Sequence, residues 1–240
     1  LLEVKAAEES GIIPAGHSVV KSRLSAQFSA ADAASEAMGG IEYLQRVRNW
    51  VEADAHADDL PVLFAALHDQ VIHRSGLQVN LTLEAAQRDP IERRLADLLA
   101  CLPDAGPTVT QPAWKTALPT SCELLTLPSQ VHYVGSAWPL FDADFPFHGS
   151  ALVATRLIRN NWLWEKVRVQ GGAYGAFCSA DRITGHVGFF SYRDPNVAET
   201  LATYNGAAAF LRSHAPDASE LERNIIGTLG DLDPCQLPDA

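Results

Sequence analysis

The stretch from Val167 to Asn196, VRVQGGAYGAFCSADRITGHVGFFSYRDPN, constrains this chain more than any other. Arg168 ends a helical pattern, and Gly171-Gly172 breaks it. Tyr174 to Cys178 and Val187 to Tyr192 then read as two strands joined by Asp181-Arg-Ile-Thr-Gly185. Asp194-Pro195 follows as a helix cap. An antiparallel hairpin flanked by helices is therefore fixed, with Arg168 and Tyr174 at the mouth of a site. The stretch does not by itself supply that site's chemistry.

The same alternation extends in both directions. Val131, Tyr133 and Val134 are expected on a strand, and Ser150 to Trp164 on a long amphipathic helix. After the hairpin, Val197, Leu201, Tyr204 and Leu211 mark one helix. Asp217-Ala-Ser-Glu220 opens another through Leu221, Ile225 and Leu229 as a variant capping box. Upstream, His17 to Ala37 is small and apolar, ending at Gly39-Gly40. Ile41, Leu44, Val47 and Val51 predict an amphipathic helix. Asp58-Asp59-Leu60-Pro61 caps a further one through Val62, Leu63, Leu67 and Val71. Leu77, Val79, Leu81 and Leu83 alternate with polar residues as in a half-buried strand. Asp89-Pro90 caps a helix carrying Ile91, Leu95, Leu98 and Leu99. Between Cys101 and Pro128 the prolines at 103, 107, 112, 119 and 128 predict a linker, with Trp114 and Leu124 suggesting that it packs along a surface. These elements define an α+β fold, helices layered on one face of a sheet.

Composition excludes several classes. The chain has 18 basic and 29 acidic residues, a formal charge of -11, which argues against counterion-releasing contact with nucleic acid. No apolar run approaches the roughly 20 residues of a membrane span. Cysteines 101, 122, 178 and 235 form no CxxC pair and fit buried thiols in a reducing compartment better than disulfides or a zinc knuckle. The chain starts Leu-Leu-Glu without methionine and stops just after an apparent helix, so a piece of a longer protein is expected.

The histidines lack ligand spacing. His68 and His73 stand roughly 140° apart around an ideal helix. No HExxH, HxxEH or GxSxG occurs, and His132, His148 and His186 have no partner at ligand spacing. The glycine-rich run follows a helix and opens a strand, the reverse of a phosphate loop. Asn80-Leu-Thr82 is a sequon in a predicted strand and is read as chance. Arg168 and Tyr174 remain. A guanidinium fork and a neutral phenol, with two glycines between, could hold a peptide carbonyl and stabilise its oxyanion. The plainer alternative stays open: Arg168 answers the helix dipole and Tyr174 fills the sheet.

Arg168-Val-Gln-Gly-Gly-Ala-Tyr174-Gly with Ser191-Tyr-Arg-Asp-Pro-Asn196 resembles the last domain of presequence proteases, pitrilysin/insulinase-type inverzincin metallopeptidases. Ser22-Arg-Leu-Ser-Ala and Gly76-Leu-Gln-Val-Asn-Leu-Thr82 look like the preceding domain. The resemblance implies four homologous two-layer helix-on-sheet domains of the processing-peptidase type, forming a clamshell around a chamber. Two consecutive repeats, both incomplete, would lie here: residues 1–102 from the third domain, 103–128 as linker, and 129–240 from a truncated fourth. It implies catalytic roles for Arg168 and Tyr174 as carbonyl-binding and oxyanion-stabilising groups. Gly171 and Gly172 would be substrate-binding. Zn2+ would sit on an HxxEH in the N-terminal half, absent here, leaving this segment inactive alone. The implied partners are an unfolded peptide and that N-terminal half, with no nucleic acid and no membrane span. The compartment would be mitochondrion or chloroplast in a eukaryote, cytoplasm in a bacterium. Two alternatives stay open, a noncatalytic half of a two-chain peptidase and a peptide-binding module without catalysis.

Overall fold

Three antiparallel strands carry the predicted hairpin and its neighbour: β1 (Gly135–Pro139), β2 (Gly175–Asp181) and β3 (His186–Tyr192), in the order β1-β3-β2. Cys178 faces Phe189 across β2 and β3, and Gly135 faces Phe190 across β1 and β3. The hairpin turn is set by Asp181, whose carboxylate accepts the Ile183 and Thr184 amides at 2.7 and 2.9 Å, and by Gly185 at φ +66°. The computed structural model describes residues 1–53, 59–107, 118, 121–141 and 145–233.

The strand expected at Val131 to Val134 begins later, at Gly135. The Ser191 hydroxyl accepts the Val134 amide at 3.2 Å, so a side chain replaces a carbonyl there and interrupts the ladder. Among the described residues further upstream, His132 bridges to Asp194.

Helix α6 (Ser150–Leu157) continues directly into a π-helical segment, Ile158–Gln170. The expected helix is therefore wider than an α-helix in its second half and runs unbroken through Arg168 to Gln170. Its buried residues, Ile158, Leu163 and Val167, recur at spacings of five and four. That suits roughly four to five residues per turn, because each hydrogen bond closes on the fifth residue. These three pack with Val134, Ala173, Cys178 and Phe189, and with Tyr204 and Ala207 of α7 (Ala198–Ser213), to form the core.

The other sheet face is covered by α1 (Leu2–Ser25). A side chain at Gly135 would collide with Val20 and Leu24, so glycine lets the helix approach closely. Pro14 kinks α1 at Ala15 (φ -109°), and the Tyr133 hydroxyl donates to the Ile13 carbonyl beside the kink. The apolar run expected from His17 to Ala37 divides between α1 and α2 (Ala30–Gly39). Ser29 accepts the Asp32 amide as the second helix's N-cap. Helix α3 (Ile41–Glu52) follows as expected. Glu36, 1% exposed, joins these helices. It takes Arg23 at 3.1 Å and the Ile41 amide at 2.7 Å.

Leu118, Ser121 and Glu123 of the proline-rich segment are fastened to the C-terminal end of α1 by polar groups. Leu118 donates to the Ala26 carbonyl at 2.8 Å, Ser121 to the Gln27 side chain, and Arg23 forks onto Glu123 at 2.7 and 2.9 Å. Leu124, expected to help it pack, is 89% exposed, and Trp114 lies outside the described residues. Helix α8 (Ala218–Leu232) begins at Asp217, whose side chain accepts the Glu220 amide. The Glu220 carboxylate turns instead to His214 and Asn161, so only half of the capping box forms.

The described residues fall into two compact units, one of residues 1–51 with 118–233, the other within residues 52–107. The second holds α4 (Asp59–Val71) and α5 (Arg88–Ala100). The Asp58 cap expected for α4 lies outside the described residues. Helix α5 starts one residue before Asp89-Pro90, after Gln87, with no side-chain cap. Leu77 to Leu83 forms no strand, and Leu77, Val79 and Leu81 are exposed. Alternation specifies two faces, but a strand also needs a partner for its N–H and C=O groups. Among the described residues no strand pairs with it. No described helix is long and apolar enough to cross a membrane.

Candidate functional site

The turn between the π-helical segment and β2 is closed by its backbone. Gly172, at φ +78°, donates to the Arg168 carbonyl at 3.0 Å, and Ala173 donates to the Val167 carbonyl at 3.1 Å. These nested bonds resemble a Schellman closure widened by one residue, as a wider helix requires. A β-carbon at Gly171 would meet the Val167 carbonyl oxygen at 2.6 Å. Each glycine thus has a separate reason to be there, one a left-handed backbone and the other a close approach.

Asn196 secures the turn from the far side by donating from its side chain to the Gly171 carbonyl at 2.5 Å. Its own position depends on Asp194, which is fully buried. One Asp194 oxygen accepts the Asn196 amide at 2.8 Å and the other the Thr200 hydroxyl at 2.7 Å. The Asp194 backbone pairs in both directions with His132 at 2.8 and 2.9 Å. Rather than the expected cap of the next helix, Asp194 forms an Asx turn, and α7 begins after Val197.

On this frame Arg168 stands in the last turn of the π-helical segment and Tyr174 just before β2. The Arg168 guanidinium lies 4.0 Å above the Trp164 ring. That spacing favours a cation–π contact. Tyr174 is 67% exposed; its ring meets Tyr192 edge-on at 5.6 Å, while its amide donates to the Tyr192 carbonyl at 3.0 Å. Among the described residues, no hydrogen bond or ion pair engages the Arg168 guanidinium or the Tyr174 hydroxyl. The two residues flank one turn without touching the same partner. The helix-end carbonyls are capped by backbone amides, which leaves the guanidinium free of that task.

Around them lies an aromatic patch that residue type alone does not reveal. Tyr192 contacts His17 at 4.8 Å, Tyr133 at 5.9 Å and the Arg193 guanidinium at 5.5 Å. Trp164 carries a signal only in its four-residue spacing from Arg168, and Asn196 only as the end of the SYRDPN run.

Other reactive groups are engaged elsewhere. Burial pushes the Cys178 thiol up to about 12, so it stays protonated and inert. Burial likewise raises the Tyr204 phenol, which donates to the Val134 carbonyl at 3.2 Å. His148 caps α6 by accepting the Ser150 amide at 3.1 Å. His186 is buried against Phe28 at 4.8 Å, with its ring near Ser25 and Thr184. No group of three or more His, Cys, Asp or Glu among the described residues could hold a metal ion. Zinc therefore does not fit the described side chains.

Residues 122–240 match the PreP C-terminal domain, and residues 1–49 match the associated domain of peptidase family M-16, subfamily C. The chain is 36% identical over 239 residues to presequence protease 1, chloroplastic/mitochondrial, of Arabidopsis thaliana, covering 98% of this chain and 22% of that protein. It is 29% identical to the mitochondrial presequence protease of Emericella nidulans, covering 91% and 21%. Protein HypA of Clostridium perfringens is 22% identical, with 96% and 23% covered. The class these matches define is the C-terminal domain of M-16 peptidases, with an α+β fold. Within it, the chain belongs to the presequence protease family. It spans about a fifth of the length of the curated relatives it matches.

Proposed function

We propose that this chain is the C-terminal part of a zinc metalloendopeptidase that degrades unfolded peptides, including cleaved targeting presequences. Arg168 and Tyr174 would form the wall of the chamber facing the metal. The observation that carries this reading is the turn itself. Its backbone is fixed by Gly171, Gly172 and Asn196, yet the two polar ends it presents have no hydrogen-bond or ion-pair partner among the described residues. Fixed donors without an internal acceptor are what stabilisation of a developing oxyanion requires. The Tyr174 hydroxyl would donate to the carbonyl oxygen under attack, and the Arg168 fork would hold a neighbouring backbone oxygen. Gly171 and Gly172 would let the peptide main chain pass close to the turn.

Zinc belongs, on this reading, to the N-terminal half of the protease, which is also this segment's partner in closing the chamber. Separate family matches at residues 1–49 and 122–240 support parts of two successive peptidase-like domains. The relatives' names support a mitochondrial or chloroplast site of action in a eukaryote.

The test is Tyr174→Phe in the full-length protein. Turnover of an unfolded peptide should fall roughly 10–1000-fold with little change in KM, as for loss of one oxyanion donor. Unchanged turnover removes the role. Arg168→Ala should raise KM and lower kcat together; normal kinetics with a lower Tm would return Arg168 to a helix-end role.

A further inference from the structure

Arg193 adopts a left-handed backbone at φ +49°, and no other non-glycine residue among the described ones has a positive φ. Glycine or asparagine would take that conformation at lower cost, so an arginine there is unfavourable in itself. The surroundings nevertheless enforce it. On one side, β3 delivers the chain through fully buried Ser191, which donates its amide to Val134 at 2.8 Å. On the other, fully buried Asp194 is fixed by His132, Asn196 and Thr200. Strain held in place by its neighbours is a feature of binding sites.

Three facts tie this residue to the proposed site. The Arg193 carbonyl accepts the Tyr174 amide at 3.3 Å, so the strained residue helps place the tyrosine. Its guanidinium lies over the Tyr192 ring at 5.5 Å, and that ring meets Tyr174 edge-on. The side chain is exposed and has no carboxylate partner among the described residues, although acidic residues outnumber basic ones 29 to 18.

We infer that Arg193 is a second cationic substrate-binding residue, one that takes a carboxylate of the bound peptide beside Tyr174. This rests on the reading of Arg168 and Tyr174 as the substrate wall. Arg168 would meet neutral backbone oxygens, while Arg193 would answer the anionic group, either the peptide's C-terminus or an acidic side chain. Tyr192 serves both sides as an apolar platform that keeps the Arg193 fork from folding back onto protein carbonyls.

The experiment uses Arg193→Gly and Arg193→Lys in the full-length protein, with Tyr174→Phe alongside. Each is assayed on matched peptides with a free or amidated C-terminus, and with one internal Glu or Gln. Arg193→Gly should raise KM roughly tenfold for the carboxylate-bearing peptide and erase its advantage over the amide. Arg193→Lys should recover part of that advantage at low salt. Whichever peptide pair loses its difference identifies the source of the carboxylate. Because glycine relieves the strained backbone, Arg193→Gly should melt no lower than the parent, which separates lost binding from lost folding. Equal KM values for all four peptides in parent and variant, with Tyr174→Phe still impaired, would overturn the inference and leave the wider reading intact. Normal turnover by Tyr174→Phe would instead remove the reading on which it rests.

Discussion

At the scale of the residue, Asp194 controls more of this site than either residue proposed to act in it. Its two oxygens serve the Asn196 amide and the Thr200 hydroxyl, and Asn196 in turn holds the Gly171 carbonyl. Removing the carboxylate leaves those donors buried without acceptors, each costing the desolvation of a polar group. Asp194→Ala should therefore destabilise the segment by about 2–4 kcal/mol in urea unfolding. Asp194→Asn, which keeps one oxygen for the Asx turn, should cost visibly less. Equal losses for both would mean that the Thr200 contact, not the turn, carries the effect. Arg168, Tyr174 and the glycine pair are legible in sequence because arginine, tyrosine and adjacent glycines each restrict what a position can do. Arg193 is not, since nothing in its type announces a positive φ. Asp194 reads as a helix cap because Asp-Pro signals a helix start more often than a buried Asx turn.

At the scale of the element, the π-helical segment shows how a correct pattern can be read with the wrong period. Its buried residues fall at 158, 163 and 167, a drift that an α-helical template does not fit. The wider turn carries the segment to Gln170 and sets Trp164 beneath Arg168. Leu163 is fully buried at the centre of this face. Leu163→Ala should cost about 2–5 kcal/mol, as for other core leucines. Its kinetic effect in the full-length protein should exceed that of an equally destabilising change in α1, because the turn bearing Arg168 hangs from this helix. Parity between the two would detach the site from the helix geometry. The hairpin is legible to within a few residues because Asp181 and Gly185 leave few other turns. Leu77 to Leu83 misleads for the opposite reason: its side chains alternate, but hydrogen-bonding partners are not written in a strand's own sequence.

At the scale of the whole molecule, acidity tests how α1 and the sheet are joined, because the groups that report on it titrate in separate ranges. His186 lies on β3 against Phe28 and near the Ser25 hydroxyl, and burial lowers its pKa below the ordinary 6.5 despite the opposing influence of Asp181. The unfolded chain therefore takes up the His186 proton first as pH falls. The stability tied to the neutral ring is fully present above about 6.5 and drains away between that value and the lower folded one. Glu123 behaves alike in a lower window. The fork from Arg23 holds its pKa below the usual carboxylate value, so its contribution fades only as pH drops through about 4. The pH dependence of urea unfolding should thus show two declines, one beginning near 6.5 and one near 4. His186→Gln, which keeps a polar group toward Ser25 and Thr184 without a titrating ring, should flatten the first decline and leave the second. Glu123→Gln should do the reverse while lowering stability at neutral pH, since the proline-rich segment then loses its ionic hold on α1. A profile flat from pH 7 to 5 in the parent, or an unaltered first decline in His186→Gln, would show that the ring's burial does not control how the helix holds the sheet.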